Sequence, residues 1–129
     1  MPIKTANDIS PALAFAHDQH ASAIIVAADP LTGANNREIV ERCISLKLPA
    51  IHTFPFEAKS GALIAYGIDI EENYLRIAEY ADRLLKGAKI ADLPFQDPRG
   101  TLAINLKTAR AIGIKVPPTL LALADEVIE

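Results

Sequence analysis

Tryptophan is absent and cysteine occurs once, at Cys43. A lone cysteine cannot close an intramolecular disulfide, so cysteine usage says nothing about redox compartment. Charge of one sign is also lacking: 13 Lys and Arg stand against 16 Asp and Glu, a net charge of -3 spread along the chain. A nucleic-acid surface needs a basic patch to neutralise phosphates, and none is present, so no nucleic-acid partner is expected. No run of about 18 apolar residues exists, so the sequence encodes no membrane-spanning helix. The opening residues 1–8 lack the apolar core of a signal peptide, which places the chain in the cytoplasm if it is a whole gene product. Catalytic signatures are missing as well: no G-x-S-x-G elbow, no G-x-G-x-x-G turn, no phosphate-cradling G-x-x-x-x-G-K-[ST] loop. The sequence calls for no cofactor and no metal, and its reading is not that of an enzyme.

What is present is ordinary globular material. Half the residues are hydrophobic and 22% are charged, which excludes disorder, and 129 residues suffice for one modest domain. Short apolar runs alternate with longer amphipathic stretches, the pattern of α/β construction. Residues 2–5 suggest a short strand. Asn7, Asp8 and Ser10 can cap a helix running to about His20, with Pro11 in its first turn. Residues 23–28 form a continuous apolar run, expected as a central strand of a parallel sheet. Residues 29–35 read as a loop, and Asn35 with Glu38 as a capping box. Ile39, Val40, Cys43 and Ile44 then mark one helix face. Strands are expected at 48–52, 62–66 and 101–105. The longest helix spans about 70–86, opened by Asp69 and Glu72 and closed by Gly87. Its apolar stripe is Ile70, Tyr74, Ile77, Ala78, Ala81, Leu84 and Leu85, with Glu72–Arg76 and Glu79–Arg83 as i,i+4 pairs. A short helix at 106–112 is ended by Gly113, Pro117-Pro118 restarts the chain, and a last helix from 119 to about 127 completes the reading.

Candidate chemistry follows from position. In an open parallel α/β sheet, ligands bind beyond the carboxyl ends of the strands. Those ends hold Asp29, Thr32, Asn35, His52, Thr53, Phe54, Phe56, Glu57, Tyr66 and Asp69. The expected ligand-binding set is Asp29, Thr32, Asn35, His52, Phe54, Phe56, Tyr66 and Asp69, a mixture of aromatic bodies and polar hands suited to a small polar solute. Asp69 and Asn35 equally suit helix caps, and Phe54 and Phe56 equally suit a core or an interface. His17 and His20 share a helix face but lack a third ligand and read as solvated surface. Cys43 reads as a core thiol.

Several segments carry a family resemblance. They are Leu93-Pro94; residues 104–113, Ile-Asn-Leu-Lys-Thr-Ala-Arg-Ala-Ile-Gly; residues 117–121, Pro-Pro-Thr-Leu-Leu; and residues 124–129, Ala-Asp-Glu-Val-Ile-Glu. To these add residues 61–69, Gly-Ala-Leu-Ile-Ala-Tyr-Gly-Ile-Asp, and residues 84–89, Leu-Leu-Lys-Gly-Ala-Lys, followed by Asp92. Together they resemble the carboxyl-terminal half of the ABC-transporter substrate-binding proteins. The sequence departs from the family pattern at Ala65 and Leu123, where serine and arginine are common, and 98–101 looks about a residue short.

The resemblance implies an α/β fold, an incomplete parallel-sheet lobe of the type I periplasmic-binding-protein kind flanked by helices. Residues to about 66 would belong to a carboxyl-terminal lobe. The helix at about 70–90 would cross to an amino-terminal lobe, and about 93–129 would return. It also implies a small-molecule solute bound between lobes without catalysis, a membrane permease as partner, and a periplasmic or extracytoplasmic location. A stripe on 70–86 without its lobe would be an association surface, so a homodimer is expected. The alternative is a stand-alone dimeric α/β interaction protein derived from such a receptor and no longer active in transport.

Overall fold

A computed structural model describes residues 2–95 and 99–129. Helix α1 (Ile9–Asp18) is followed by β1 (Ile24–Val26), α2 (Pro30–Ala34), α3 (Asn36–Ser45), β2 (Ala50–His52), α4 (Pro55–Lys59) and β3 (Ile64–Ile68). Then come α5 (Ile70–Leu85), β4 (Gly100–Asn105), α6 (Leu106–Ile112), α7 (Pro118–Leu123) and β5 (Glu126–Ile128). The five strands lie in chain order, β1-β2-β3-β4-β5. β1, β2 and β3 run parallel, β4 is antiparallel to β3, and β5 is parallel to β4. The α/β class and the mostly parallel sheet match expectation. Residues 96–98, part of the expected connection before β4 and of the segment that looks short, lie outside the described residues.

Pairing register sorts the side chains. Ile24, Val26, Ala50, His52, Ala65 and Ala103 share one face. Over β1 and β2 this face packs against Ile9 and Leu13 of α1 and Ile39 and Cys43 of α3. Over β3 and β4 three fully buried alanines, Ala58, Ala65 and Ala103, let α4 approach closely. The approach is close enough for the Asn105 side-chain amide to donate to the Ala58 carbonyl at 2.9 Å. On the other face, Ile104 is fully buried and packs with Ala109, Ile112 and Val116, with Leu120 and Leu121 of α7 beside them. Burying an isoleucine this completely is worth about 1.5–3 kcal/mol. Burial raises the Cys43 thiol to about 11, consistent with a core residue.

Five local expectations change. Residues 2–5 are not a strand: the Asp8 carboxylate accepts from the Lys4 and Thr5 amides at 3.0 and 2.8 Å and closes a turn instead. The 23–28 run is an edge strand rather than a central one, because β1 pairs only with β2 and Ile25 is 82% exposed. Residues 29–35 contain the one-turn helix α2, capped by Asp29. Asn35 makes no side-chain cap bond; its amide donates to the Leu31 carbonyl at 2.7 Å. The last helix ends at Leu123, and Glu126–Ile128 is a strand. Asp125 fastens that strand to β4, its amide donating to the Leu102 carbonyl at 2.9 Å and its carboxylate accepting from the Leu102 amide at 2.8 Å.

Helix α5 behaves differently from the other long helices, α1 and α3, each of which buries part of its apolar face. Asp69 caps it through the Glu72 amide at 3.1 Å, Glu72 pairs with Arg76, and Lys86 reaches Asp82 at 2.8 Å. Yet no residue of α5 is buried. Its stripe and the stretch that follows enclose an open groove of about 520 Å³ lined by Ile77, Tyr80, Leu84, Ile90, Leu93 and Phe95. Tyr80 donates its hydroxyl to the Pro94 carbonyl across this groove. Among the described residues, no helix is long and apolar enough to cross a membrane.

Candidate ligand-binding surface

The carboxyl ends of β1, β2 and β3 point to one edge of the sheet because the three strands are parallel. Antiparallel β4 starts at that same edge, with Gly100 opposite Ile68. The turns that leave β1, β2 and β3 therefore gather there, and each is pinned by its own hydrogen bonds. After β1, the Asp29 carboxylate accepts from the Leu31 amide at 2.8 Å. Thr32 donates its hydroxyl to the Ala27 and Asp29 carbonyls at 2.8 and 3.0 Å. After β2, Thr53 donates to the Val26 carbonyl at 3.2 Å, tying the second turn to the first strand. After β3, Asp69 caps α5.

Two glycines allow close approach at this edge. A Cβ on Gly67 would lie 2.1 Å from the Thr53 carbonyl oxygen, so the β2 turn rests directly on the β3 backbone. A Cβ on Gly100 would lie 2.6 Å from the Tyr66 hydroxyl oxygen, so the tyrosine ring lies across β4. That ring stays 57% exposed. Phe54 and Phe56 stack on each other with centroids 5.7 Å apart and planes 9° apart, and Phe56 is half exposed.

The predicted residues divide into groups. Phe56 and Asp69 line one hollow together with Lys59 and Glu126, which form an ion pair at 3.3 Å. Asp29 and Thr32 line a different groove, between α1 and the β1 edge. Asn35 is half-buried and engaged with Leu31. His52 offers the edge no surface: it is 2% exposed and turned inward, with Nδ1 3.6 Å from the buried Glu57 carboxylate. Sequence reasoning passed over Lys59, Glu126 and the two close-approach glycines. It mentioned Glu57 without assigning it a task. The signal for Glu57 was its place three residues after Phe54, at the start of a proline-opened turn.

Burial holds the His52 imidazole below its ordinary value of 6.5, against the opposing pull of Glu57. The unfolded chain then binds the proton more tightly than the folded one, and stability rises with pH across the interval between the two values. Stability is accordingly complete above about 6.5 and is lost as pH falls through the folded-state value. Urea unfolding from about pH 7.5 down to 5.5 should show this decline, and His52→Gln should flatten it. An unchanged slope in the variant would assign the decline to another group.

The chain is a mostly parallel sheet lobe whose strand-end edge carries both apolar and polar side chains. The comparisons name its family. The profile of the ABC transporter substrate binding protein family matches residues 1–128, and the chain belongs to that family. No curated protein matches the sequence. Among solved structures, an ABC domain from Streptococcus pneumonia in complex with L-Trp is 26% identical with a TM-score of 0.80. The match covers 99% of this chain and 43% of that one. A conserved domain protein from Vibrio cholerae matches over 95% of this chain and 42% of its own, at 21% identity and TM-score 0.77. A substrate binding protein with adhesive properties from Clostridium difficile, in its ligand-free, open form, is 20% identical with TM-score 0.70. It covers 98% of this chain and 42% of its own. The last two likenesses concern the fold alone. The chain thus spans well under half the length of the structures it matches.

Proposed function

We propose that this chain forms one wall of the solute cleft of an ABC-importer binding protein, holding a small polar molecule without catalysing its conversion. The observation that carries the proposal is the bare Tyr66 ring, 57% exposed at the strand-end edge, the same edge from which the β2 turn leaves with its stacked Phe54–Phe56 pair. Aromatic rings with polar neighbours are the usual lining of small-molecule sites. On this reading, residues to about 66 and from about 93 form one lobe, and α5 belongs to the opposite lobe. The solute would bind more tightly to the closed arrangement of the lobes and shift the population toward it. A membrane permease would read the closed state, outside the cytoplasmic membrane. The pneumococcal domain solved with L-Trp makes amino acids the first solutes to try.

One wall alone binds weakly, so the suitable measurement is an NMR titration of the labelled chain with L-tryptophan, L-leucine, a dicarboxylic acid and a sugar at millimolar concentration. At a Kd of about 1 mM the free energy is only about -4 kcal/mol, still within reach of shift mapping. Expected shifts cluster at Thr53–Phe56 and Tyr66–Asp69. Tyr66→Ala should abolish them while changing stability by no more than about 0.5 kcal/mol, as for other exposed positions. Shifts confined to the α1 groove, or none with any solute class, would reject the reading.

A second reading, a stand-alone dimeric α/β interaction protein, draws on the uncovered stripe of α5. The same titration separates the two, because an interaction protein leaves the strand-end edge silent to all four solutes.

A further inference from the structure

We infer that Glu57 is the positioning residue of this cleft wall, a buried carboxylate that sets the Phe54–Phe56 ring pair from beneath. The inference rests on the solute-binding reading and adds to it the residue that shapes the aromatic part of the wall. Three observations converge on it.

The first is the pairing of rings two residues apart. Positions i and i+2 do not face each other on a helix. Phe54 and Phe56 nevertheless stack at 5.7 Å. They can do so because Phe54 lies outside α4 in an extended conformation, φ -109° and ψ 133°. Pro55 biases its predecessor toward that conformation but does not fix it.

The second is a reciprocal tie. The Phe54 amide donates to one Glu57 carboxylate oxygen at 2.8 Å, and the Glu57 amide donates to the Phe54 carbonyl at 2.9 Å. This closed loop of two bonds holds Phe54 in its extended state and so holds its ring over that of Phe56. A hydrogen bond to a carboxylate is stronger than one to a neutral acceptor, and burial strengthens it further.

The third is the depth of the group. Glu57 is only 5% exposed, a costly place for a carboxylate unless its oxygens have work. One oxygen has the Phe54 amide. The other faces His52 Nδ1 at 3.6 Å, beyond hydrogen-bond length, and that nitrogen is buried with no hydrogen-bond partner. His52 thus stands behind the carboxylate and leaves it directed at the turn. The rings that Glu57 aligns lie at the sheet edge proposed for the solute, and its action there is indirect.

Glu57→Met and Glu57→Gln decide the matter. Methionine keeps the buried volume and removes the acceptor. Glutamine keeps an acceptor for the Phe54 amide and adds a donor that His52 Nδ1 can take. In the Met variant the ring-current shifts of Phe54 and Phe56 should collapse and the Phe54 amide should exchange faster. The L-tryptophan Kd should rise by about tenfold, the equivalent of one lost charged hydrogen bond. L-leucine affinity should change by less than about twofold, a split that general destabilisation would not produce. Glutamine should restore both the ring shifts and the L-tryptophan affinity. Intact ring shifts in the Met variant, or equal losses for the two amino acids, would overturn the inference. If the unmodified chain binds none of the four solutes, the solute reading fails and takes the cleft role with it. The ring shifts would still decide separately whether Glu57 holds the pair.

Discussion

Gly67→Ala should lower stability by about 1–3 kcal/mol or more, the range for forcing a methyl group into a filled site. The expected size comes from what the new atom meets. At 2.1 Å stands the Thr53 carbonyl oxygen, a backbone atom that cannot rotate away. The demand for glycine here is one of space, since β3 is ordinary extended backbone. Relief requires the β2 turn to lift, which stretches the Thr53 hydroxyl bond to the Val26 carbonyl, now 3.2 Å. For a domain of this size each kcal/mol is worth about 4 °C, so thermal unfolding should move down by about 4–12 °C. Gly33 supplies the control, because a Cβ there meets nothing within 4 Å. Gly33→Ala lies in the short helix α2 and should leave stability level or raise it by a few tenths to about 1 kcal/mol. Equal midpoints for the two variants would show that the Thr53 turn moves freely, and the strand-end edge would lose its claim to be a preformed wall.

The sequence disclosed most of the fold through features with a local cause. Asp69 followed by Glu72 announced the start of α5, and the Asp69 carboxylate does accept from the Glu72 amide. Gly113 announced the end of α6 and sits in the left-handed region at φ 81°. The errors share a different origin. The apolar run at 23–28 reveals that a strand carries apolar residues on both faces, but not what covers each face. β1 is three residues long and its Ile25 points to solvent. β5 escaped notice because three residues hold no readable period, and Pro117-Pro118 suggested a helix that would continue. What ends that helix and makes a strand is a contact across 23 residues, from Asp125 to Leu102, and no local window contains it.

The candidate site was legible in outline for the same reason. Parallel strands place their following turns at one edge, so listing the turn residues found Tyr66, Phe56 and Asp69 together with the others. Type alone could not separate residues that face outward from those that serve the turn. His52 and Tyr66 each stand at or near a strand end, yet one is 2% exposed and the other 57%. The difference is the pleat: His52 pairs with Ala65 on the face under α4, and Tyr66, one residue further, points the opposite way. A one-residue change in where β3 was drawn would have exchanged those roles.

The 129-residue chain on its own should self-associate at micromolar concentration, and α5 should carry the contact. It exposes 8594 Å², whereas a compact monomer of 13.9 kDa exposes about 6,700 Å² by the usual scaling. The surplus, roughly 1,900 Å², compares with the total area buried in a standard protein–protein interface, about 1,200–2,000 Å². Much of the uncovered apolar surface is on one element and its continuation: Tyr74 is 68% exposed, Leu75 67%, Ile77 55%, Leu85 89% and Ile90 78%. At about 25 cal/mol per Å², covering even half the surplus offers more than 10 kcal/mol gross, against an association penalty of about 4–15 kcal/mol. A second copy is the occupant always present in a pure sample, and the stripe is repeated identically upon it. Light scattering after size exclusion should therefore report about twice 13.9 kDa at tens of micromolar, falling on dilution. Ile77→Glu with Leu84→Glu places charges in the groove between α5 and Leu93. This pair should return the mass to that of one chain without loss of helical signal. A chain that stays monomeric at every concentration would mean that α5 folds back over its own groove in solution, and the association surface would then not exist.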